Sequence, residues 1–455
     1  MKRLFCIPAI AASLTLLLVA SPAQAEIGLA PARGFVPREV VVKFEGERSA
    51  RTLELPRGAG VRETTARLRG NAAVEYAAPN FIATASAISP LPFTVPNDTG
   101  GIDGAAEASS FGDWTLKQWN FLPWEEAPGL RVPASPGGID AVGAWQHLAD
   151  VDRPGGKGIT VAVLDTGIAY REQGGTFLRS PDFGPGQFVK GFDFIENDRV
   201  PLDENGHGTH VAGTIAEKTD NGVGLTGIAY NARLMPVRVL DAQGRGDASG
   251  IAKGIRFAIA HQAQVINMSF NFGCGKKVPG VDEALREAYA KGILVVASAG
   301  NLGAETCVSP PATGPRVIAV GGSTEGGCLG DYSLAGAEID VLAPGGGIPI
   351  AGCPSISARP IYQVTLRPGT TNLFGIPANY VGTSMAAAHV SGTAALVLAS
   401  GVVKPGLKPK ARVQAVTRRL RNTARSLGLE RTQQGAGLID AAAATELPAA
   451  RKQSR

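Results

Sequence analysis

The chain of 455 residues is poor in charge, in histidine and in long apolar runs. Charged residues make up 18% and hydrophobic residues 44%, a balance that excludes a disordered chain. The length of 455 residues predicts two or three folded domains. The net charge is only +5 and no block of positive charge occurs. We therefore expect no nucleic-acid partner, because such proteins concentrate basic residues on one surface.

No apolar run reaches the roughly 20 residues that a membrane-spanning helix needs. The one candidate, Leu4 to Ala20, is too short, follows Lys2 and Arg3, and precedes the small-residue triplet 23–25. This order is typical of a secretory signal peptide cleaved after Ala25. It predicts a secreted protein, extracellular or periplasmic, without a stable membrane anchor.

Cysteine is also scarce, with five in the chain, of which Cys6 lies in the signal peptide. The other four form an even set in an exported chain, which predicts two disulfides. Four cysteines allow three pairings. Short loop closure favours Cys274 with Cys307 and Cys328 with Cys353, and free buried thiols are the alternative.

The part before residue 84 has the pattern of a small α+β domain, with strands near 40–44 and 73–76 and a helix near 63–69. A stretch rich in Ala, Ser, Pro and Gly follows, which is typical of a linker or an arm on the surface. The predicted segments are a signal peptide (1–25), the small domain (26–83), a linker with the N-terminal arm (84–139), the main domain (140–445) and a basic tail (446–455).

In the main domain short apolar strands alternate with helices that begin near His207, Ser249 and Val281. Near-continuously apolar strands joined by helices predict an α/β fold, a doubly wound and mostly parallel sheet with helices on both faces. Chemistry in such sheets collects at the carboxyl ends of the strands. The predicted strands are 159–164, 234–240, 265–269, 293–297 and 317–320.

Three side chains in this domain stand where catalysis is feasible. Asp165 follows an apolar strand, His207 begins a helix between two glycines, and Ser384 lies at the start of a long helix of small residues. Each alone is equally a turn or capping residue. Together they supply the orienting acid, the general base and the nucleophile of acyl transfer, and the helix start would stabilise an oxyanion.

The blocks Val163-Leu164-Asp165-Thr166-Gly167, Gly206 to Gly213 and Gly382-Thr383-Ser384-Met385-Ala386 resemble the three signature blocks of the subtilisin-like serine proteases, in the same chain order. The resemblance covers roughly residues 140–445. It implies a serine endopeptidase that hydrolyses proteins or peptides with Asp165, His207 and Ser384 as its triad. Asn301 matches the side-chain oxyanion donor of that family. We expect a monomer that requires no cofactor.

The resemblance also implies where the substrate lies. An extended peptide would add as a strand between two edge segments, Gly244-Arg245-Gly246 and Ser269-Phe270-Asn271. The primary pocket would be walled by Ser298-Ala299-Gly300 and Pro310-Pro311-Ala312. No acid is placed at its floor, so we expect a preference for apolar or neutral side chains.

Two further features follow the same family. The segments 36–44 and 73–80 resemble subtilase propeptides, which implies that the small domain assists folding and inhibits the enzyme until self-cleavage between about 84 and 118. The loop Asp220 to Gly224 falls where one family calcium site lies, although it is equally an ordinary turn. Structural calcium is therefore one reading of this loop.

Two departures leave an alternative open. The family usually has Pro where this chain has Ala388 and Gly where it has Asn271, which would suit a catalytically impaired binding or secretion-partner protein. A zinc hydrolase using Asp165, His207 and His210 lacks the His-Glu-x-x-His pattern. An aspartic protease lacks a second Asp-Thr-Gly triplet. His210 is expected to pack as a structural residue of its helix.

Overall fold

The computed structural model describes residues 34–85, 113–126, 132–219, 221, 223–303 and 307–447. The predicted signal peptide lies outside these residues, as does most of the basic tail and of the linker. The main domain contains a sheet of seven strands in which every pairing between neighbours is parallel. In spatial order its strands are β12 (Val341–Pro344), β11 (Val317–Ser323), β10 (Leu294–Ser298), β8 (Val265–Met268), β4 (Thr160–Asp165), β6 (Arg233–Arg238) and β5 (Phe192–Asp193).

Helices cover both faces of this sheet, which confirms the doubly wound α/β fold. The helices of the main domain are α3 (Ala141–Ala149), α4 (His207–Ala216), α5 (Ala248–Ala260), α6 (Pro279–Ala290), α7 (Thr383–Ser400), α8 (Pro409–Asn422), α9 (Arg431–Gln434) and α10 (Ala441–Thr445). Four short strands of the described main domain lie off this sheet: β7 (Arg245–Asp247), β9 (Phe270–Asn271), and the hairpin of β13 (Thr365–Leu366) with β14 (Phe374–Gly375).

Side chains along β4 alternate between two cores. Val161 and Val163 belong to the core that contains α4 and α7, whereas Ala162 and Leu164 belong to the core under α5 and α6. Strand side chains point to opposite faces in turn, so a strand buried on both faces must be apolar throughout. This is why β4 is the continuous apolar run from which the strand was predicted.

Helix α7 is the central helix of one layer, and all of its residues except Leu398 are buried. A helix that is apolar or small on every side is typical of a buried position. Ala388 is fully buried in this helix, which begins at Thr383 without the family's proline. The first turn therefore forms here with Gly382 as its N-terminal neighbour.

The small N-terminal domain contains β1 (Phe35–Phe44), β2 (Arg51–Glu54), α1 (Val61–Arg69) and β3 (Val74–Ala85). Both sequence-predicted strands and the helix are present, but β2 was missed because its residues are polar and mostly exposed. Strand β3 is also much longer than predicted. It passes the expected domain limit at residue 83 and pairs with two strands of the main domain, β7 (Arg245–Asp247) and β9.

The segment after the linker is more buried than an arm lying on the surface. It forms the short helix α2 (Asp113–Lys117) and a turn of 3₁₀ helix at Trp119–Phe121. Trp119 and Phe121 are fully buried in the core with α7. Two large aromatic side chains bring this segment inside, because burying such side chains is strongly favourable.

Two disulfides join Cys274 to Cys307 and Cys328 to Cys353, with Cα–Cα distances of 5.8 and 6.1 Å. The pairing favoured by short loop closure is confirmed. In the part of the chain that the structure describes, none of the helices combines the length and apolar character that a bilayer span requires.

Candidate active site

Asp165 lies at the carboxyl end of β4 and is completely buried. Its Oδ1 atom accepts hydrogen bonds from the backbone N–H of Thr166 at 2.8 Å and from Nδ1 of His207 at 2.7 Å. Because a carboxylate can only accept, the hydrogen of the neutral imidazole is on Nδ1. The acid therefore fixes both the orientation and the tautomer of His207.

His207 is the first residue of α4, which packs closely against the end of β4. A Cβ atom at Gly208 would lie 2.1 Å from the carbonyl oxygen of Gly167, so only glycine permits this approach. The N–H of Gly208 donates to Oγ1 of Thr166 at 3.0 Å. The two glycines seen in the sequence thus bring the helix start to the strand end.

Asp203 organises the same helix start and was missed by the sequence analysis. It is buried, and its oxygens accept from the N–H of Gly206 at 3.0 Å and from both the N–H and Oγ1 of Thr209 at 2.9 and 2.6 Å. It also accepts from Oγ1 of Thr166 at 2.9 Å. An acidic residue shortly before a predicted helix start is the general signal for such capping and could have indicated it.

The environment of His207 raises its pKa. Burial is the largest influence and acts to lower the pKa, but the charge and hydrogen bond of Asp165 together outweigh it, and the charge of Asp203 adds to them. Nε2 of His207 is buried and has no hydrogen-bond partner among the described residues. This nitrogen carries the lone pair of the neutral ring and is the atom that can accept a proton.

Ser384 lies in the first turn of α7 and is fully buried. Its Oγ donates to the carbonyl oxygen of Ser269 at 3.0 Å, and Oγ of Ser269 donates back to the carbonyl oxygen of Ser384 at 2.8 Å. Ser269 connects β8 to β9. The serine is therefore fixed against the carboxyl end of β8, beside β4 in the sheet.

Asn301 follows β10 and contacts the residue before Ser384. Its Oδ1 accepts from the N–H and from Oγ1 of Thr383, at 2.9 and 2.8 Å. Since a backbone N–H can meet only the oxygen of the amide, Nδ2 is the group that donates elsewhere. Asn301 is thus positioned next to the nucleophile candidate with its donor group defined.

The remaining histidines have structural partners. His210 donates from Nε2 to the carbonyl oxygen of Ile361 at 3.0 Å, stacks on Tyr380, and has its pKa lowered to about 3 by burial. His389 bonds Met385 and Asn120, and burial lowers its pKa to about 4. His210 is a packed residue of α4, as predicted. It differs from His207 in that its Nε2 is hydrogen-bonded and its pKa is lowered, whereas the pKa of His207 is raised.

Both predicted substrate edges pair with the same strand, the end of β3. Ile82, Ala83 and Thr84 lie opposite Asp247, Gly246 and Arg245 in antiparallel register. On the other side Thr84 and Ala85 lie opposite Asn271 and Phe270. The two edges predicted to bind an extended peptide are thus brought together around one extended segment of the chain itself.

The predicted pocket wall adjoins one of these edges. Gly300 is left-handed at φ 115°, and a Cβ atom there would lie 3.3 Å from Nδ2 of Asn271 and 3.4 Å from Oγ of Ser309. Ser298 and Ala299 precede it and are completely buried. The side-chain amide of Asn271, on one predicted substrate edge, therefore lies close to Gly300 of the predicted pocket wall.

Of the loop that resembles a family calcium site, Asp220 and Gly222 lie outside the described residues. Across the described residues, no group of three or more His, Cys, Asp or Glu side chains is arranged to hold a metal ion. The carboxylate of Asp182 accepts from Nδ2 of Asn221 and from the N–H of Leu225, both at 2.7 Å, and burial raises its pKa to about 7. Nearby Glu217 is fully buried without a well-formed hydrogen bond to either carboxyl oxygen, and burial raises its pKa.

These features define a class of enzyme: a doubly wound α/β protein with a buried carboxylate–imidazole pair and a serine at the start of a central helix. The chain belongs to the subtilase family, because residues 156–438 match the family model described as Subtilase family. It is accordingly a serine endopeptidase of subtilisin type that acts on protein substrates.

Individual relatives agree with this assignment. The chain is 38% identical over 248 residues to a thermophilic serine proteinase of Bacillus sp. strain AK1. The aligned region is 54% of this chain and 54% of that protein. It is 37% identical over 290 residues to subtilisin Savinase of Lederbergia lenta, covering 64% and 91%. A solved protease structure from Pseudoalteromonas arctica superimposes with a TM-score of 0.56 at 32% identity, covering 68% of this chain and 94% of the other.

Proposed function

We propose that this endopeptidase works through Asp165, His207 and Ser384 and is made as a secreted, self-processing precursor. The observation that carries the proposal is the 2.7 Å hydrogen bond from His207 to buried Asp165, with Nε2 of the same ring left as the proton acceptor. Asp165 holds the tautomer, and its charge stabilises the imidazolium that forms when His207 takes a proton.

In the proposed reaction the hydroxyl hydrogen of Ser384 leaves its bond to Ser269 and passes to Nε2 of His207 as Oγ attacks the scissile carbonyl. The developing oxyanion is held by Nδ2 of Asn301 and by the N–H of Ser384 at the start of α7. His207 then returns the proton to the leaving amine. Water then attacks the acyl group and gives a proton to His207, which passes it to Oγ of Ser384 as the acid product leaves.

The test is labelling of the folded protein with a fluorophosphonate, which reacts with an activated serine. We expect modification at Ser384 and none in Ser384→Ala, together with loss of casein digestion in that variant. Labelling at another residue, or digestion that survives in Ser384→Ala, would overturn the proposal. His261→Asn is a useful comparison, since His261 lies at the end of α5 with Nδ1 bonded to the carbonyl oxygen of Phe257, and a histidine outside the triad should not abolish labelling.

We further propose that the N-terminal domain, predicted as residues 26–83 and continued to Ala85 by strand β3, is an inhibitory propeptide. The support is the end of β3, which fills both predicted substrate edges as a peptide substrate would. Self-cleavage is expected just beyond Ala85. Ala85 lies opposite Phe270, and Oγ of Ser384 is hydrogen-bonded to Ser269, the residue before Phe270. Mass measurement of the released N-terminal fragment tests this, and Ser384→Ala should stay uncut.

The proposed export rests on the N-terminal segment and on the two disulfides, which form in oxidising compartments. Fractionation of cells that produce the full chain tests it. We expect Ser384→Ala, which cannot process itself, to be found outside the cytoplasm with a new N-terminus at residue 26. Retention in the cytoplasm with an intact N-terminus would count against export.

No cofactor is proposed for the chemistry, since protein groups supply the base, the nucleophile and the oxyanion donors. Calcium is proposed as a structural ion only, beside Asp182, Asn221 and Leu225. The support is Glu217, because neither of its buried carboxyl oxygens has a well-formed hydrogen bond and a divalent cation would supply the missing partner. We expect calcium to raise the Tm and a chelator to lower it, with a smaller difference in Glu217→Gln. An equal Tm in calcium and chelator would exclude the site.

A further inference from the structure

We propose that Thr365 is a positioning residue for the general base, acting on the start of α4 together with Tyr380. The inference rests on the proposed role of His207. Thr365 belongs to residues 352–378, a long stretch before Ser384 in which no sequence motif indicates a purpose. In the structure this stretch forms the β13–β14 hairpin, and the hairpin packs against the helix that begins with His207.

The key contact is a hydrogen bond from Oγ1 of Thr365 to the carbonyl oxygen of Gly206. Gly206 is the residue directly before His207, and the same carbonyl accepts the first helical bond of α4 from the N–H of His210 at 3.0 Å. Thr365 is fully buried. Its hydroxyl therefore fixes the peptide plane from which the His207 backbone starts.

Gly206 is held closely on this side. Its φ of 98° is in the left-handed region, and a Cβ atom would lie 3.1 Å from the hydroxyl oxygen of Tyr380 and 3.3 Å from Oγ1 of Thr365. Both hydroxyls therefore lie against the same side of Gly206.

Tyr380 connects this group to the nucleophile. It precedes Ser384 by four residues, its ring stacks on His210 with centroids 4.0 Å apart, and its carbonyl oxygen accepts from the N–H of Ile361 at 3.0 Å. Ile361 in turn accepts from Nε2 of His210. Helix α4 and the segment that leads to Ser384 are thus fixed to each other through Ile361, which precedes the hairpin.

Asp165 orients the imidazole at its ring nitrogen, while Thr365 orients the backbone that carries it. Both are needed because a base misplaced by about 1 Å can lose on the order of 10²-fold in rate. Removing the hydroxyl alone should let the helix start shift without removing any group that contacts the substrate. The expected effect is therefore on kcat and not on KM.

The test compares Thr365→Val, which keeps the shape but removes the hydroxyl, with Thr365→Ser, which keeps the hydroxyl. We expect Val to lower kcat about 10- to 100-fold with KM changed less than about threefold, and to slow fluorophosphonate labelling of Ser384 similarly. Ser should restore most of the rate. Tyr380→Phe, which removes the hydroxyl that lies against Gly206, should show a smaller loss in kcat.

Thr371→Val is the matched control, because Thr371 lies in the same hairpin and its hydroxyl donates at 2.8 Å to the carbonyl oxygen of Thr176, away from α4. Its kcat should equal that of the wild type. Equal kcat in Thr365→Val and wild type, or equal losses in the Val and Ser variants, would overturn the proposal. Failure of the proposed triad is distinct, since Ser384→Ala would then remain active.

Discussion

The Asp165→Asn variant gives the most direct prediction about the candidate active site. Asparagine keeps the shape and an acceptor for Nδ1 of His207, but it removes the negative charge. In the wild type this charge lies 2.7 Å from the ring nitrogen in a fully buried pair. The variant therefore separates the charge of Asp165 from its hydrogen bond.

The size of the effect follows from the distance. Two unit charges 2.7 Å apart attract each other by about 6 kcal/mol at an effective dielectric constant of about 20. The amide dipole of asparagine retains part of this, so we expect kcat to fall about 10³- to 10⁴-fold, equivalent to about 4 to 5.5 kcal/mol. A comparable loss is known for the same change in an unrelated protease fold.

The pH dependence of kcat/KM supplies the second readout. In the wild type Asp165 raises the pKa of His207 against the effect of burial. Activity requires the neutral ring, so it appears as the pH rises through this raised pKa. Without the charge of Asp165, burial lowers the pKa, and the activity limb of the variant should shift to lower pH.

The assay is hydrolysis of a chromogenic peptide across the pH range, with Asp152→Asn as the control because Asp152 is exposed on the surface. A loss below tenfold would refute the reasoning. So would a large loss with an unmoved pH limb, since the charge would then not be acting on His207. Circular dichroism of each variant confirms that the fold is retained.

Three further predictions concern the oxyanion, the disulfides and the N-terminal domain. Asn301→Ala should lower kcat about 10²- to 10³-fold with little change in KM, as measured with the same peptide; an unchanged kcat would remove Asn301 from the mechanism. Replacing Cys274 and Cys307 by serine opens a loop with a sequence separation of 33, so the free energy of unfolding should fall by about 4 kcal/mol in urea titrations, and an equal value would show that the loop is held by other contacts. Glu283→Gln breaks the ion pair with Lys43 at the contact between the two domains, so the processed chain should become active sooner. Burial acts to raise the pKa of Glu283, but its bonds to Lys43 and Tyr76 lower it overall, so the wild-type contact should persist at neutral pH and weaken as the pH falls through the pKa of Glu283. An activation time that does not change with pH would contradict this.

Much of the candidate site could be predicted because its residues lie where a parallel sheet places them. Asp165 ends an apolar strand, His207 begins a helix and Ser384 lies at another helix start, and each of these is a local pattern. The structure brings Asp165 and His207 into direct contact. Asp203 and Thr365 could not be found in the same way, because their roles depend on which loop and which hairpin pack against α4.

The sequence by itself indicated most strands and helices of the main sheet, favoured the disulfide pairing and supplied the residue types available for catalysis, because hydrophobic periodicity, glycine positions and short loops act locally. Only the tertiary structure decided what meets across long separations. It placed β3 between Arg245 and Asn271, bonded Thr365 to Gly206, and buried Glu217 near Asp182. These contacts arise from packing between distant segments, and no local pattern of residues specifies them.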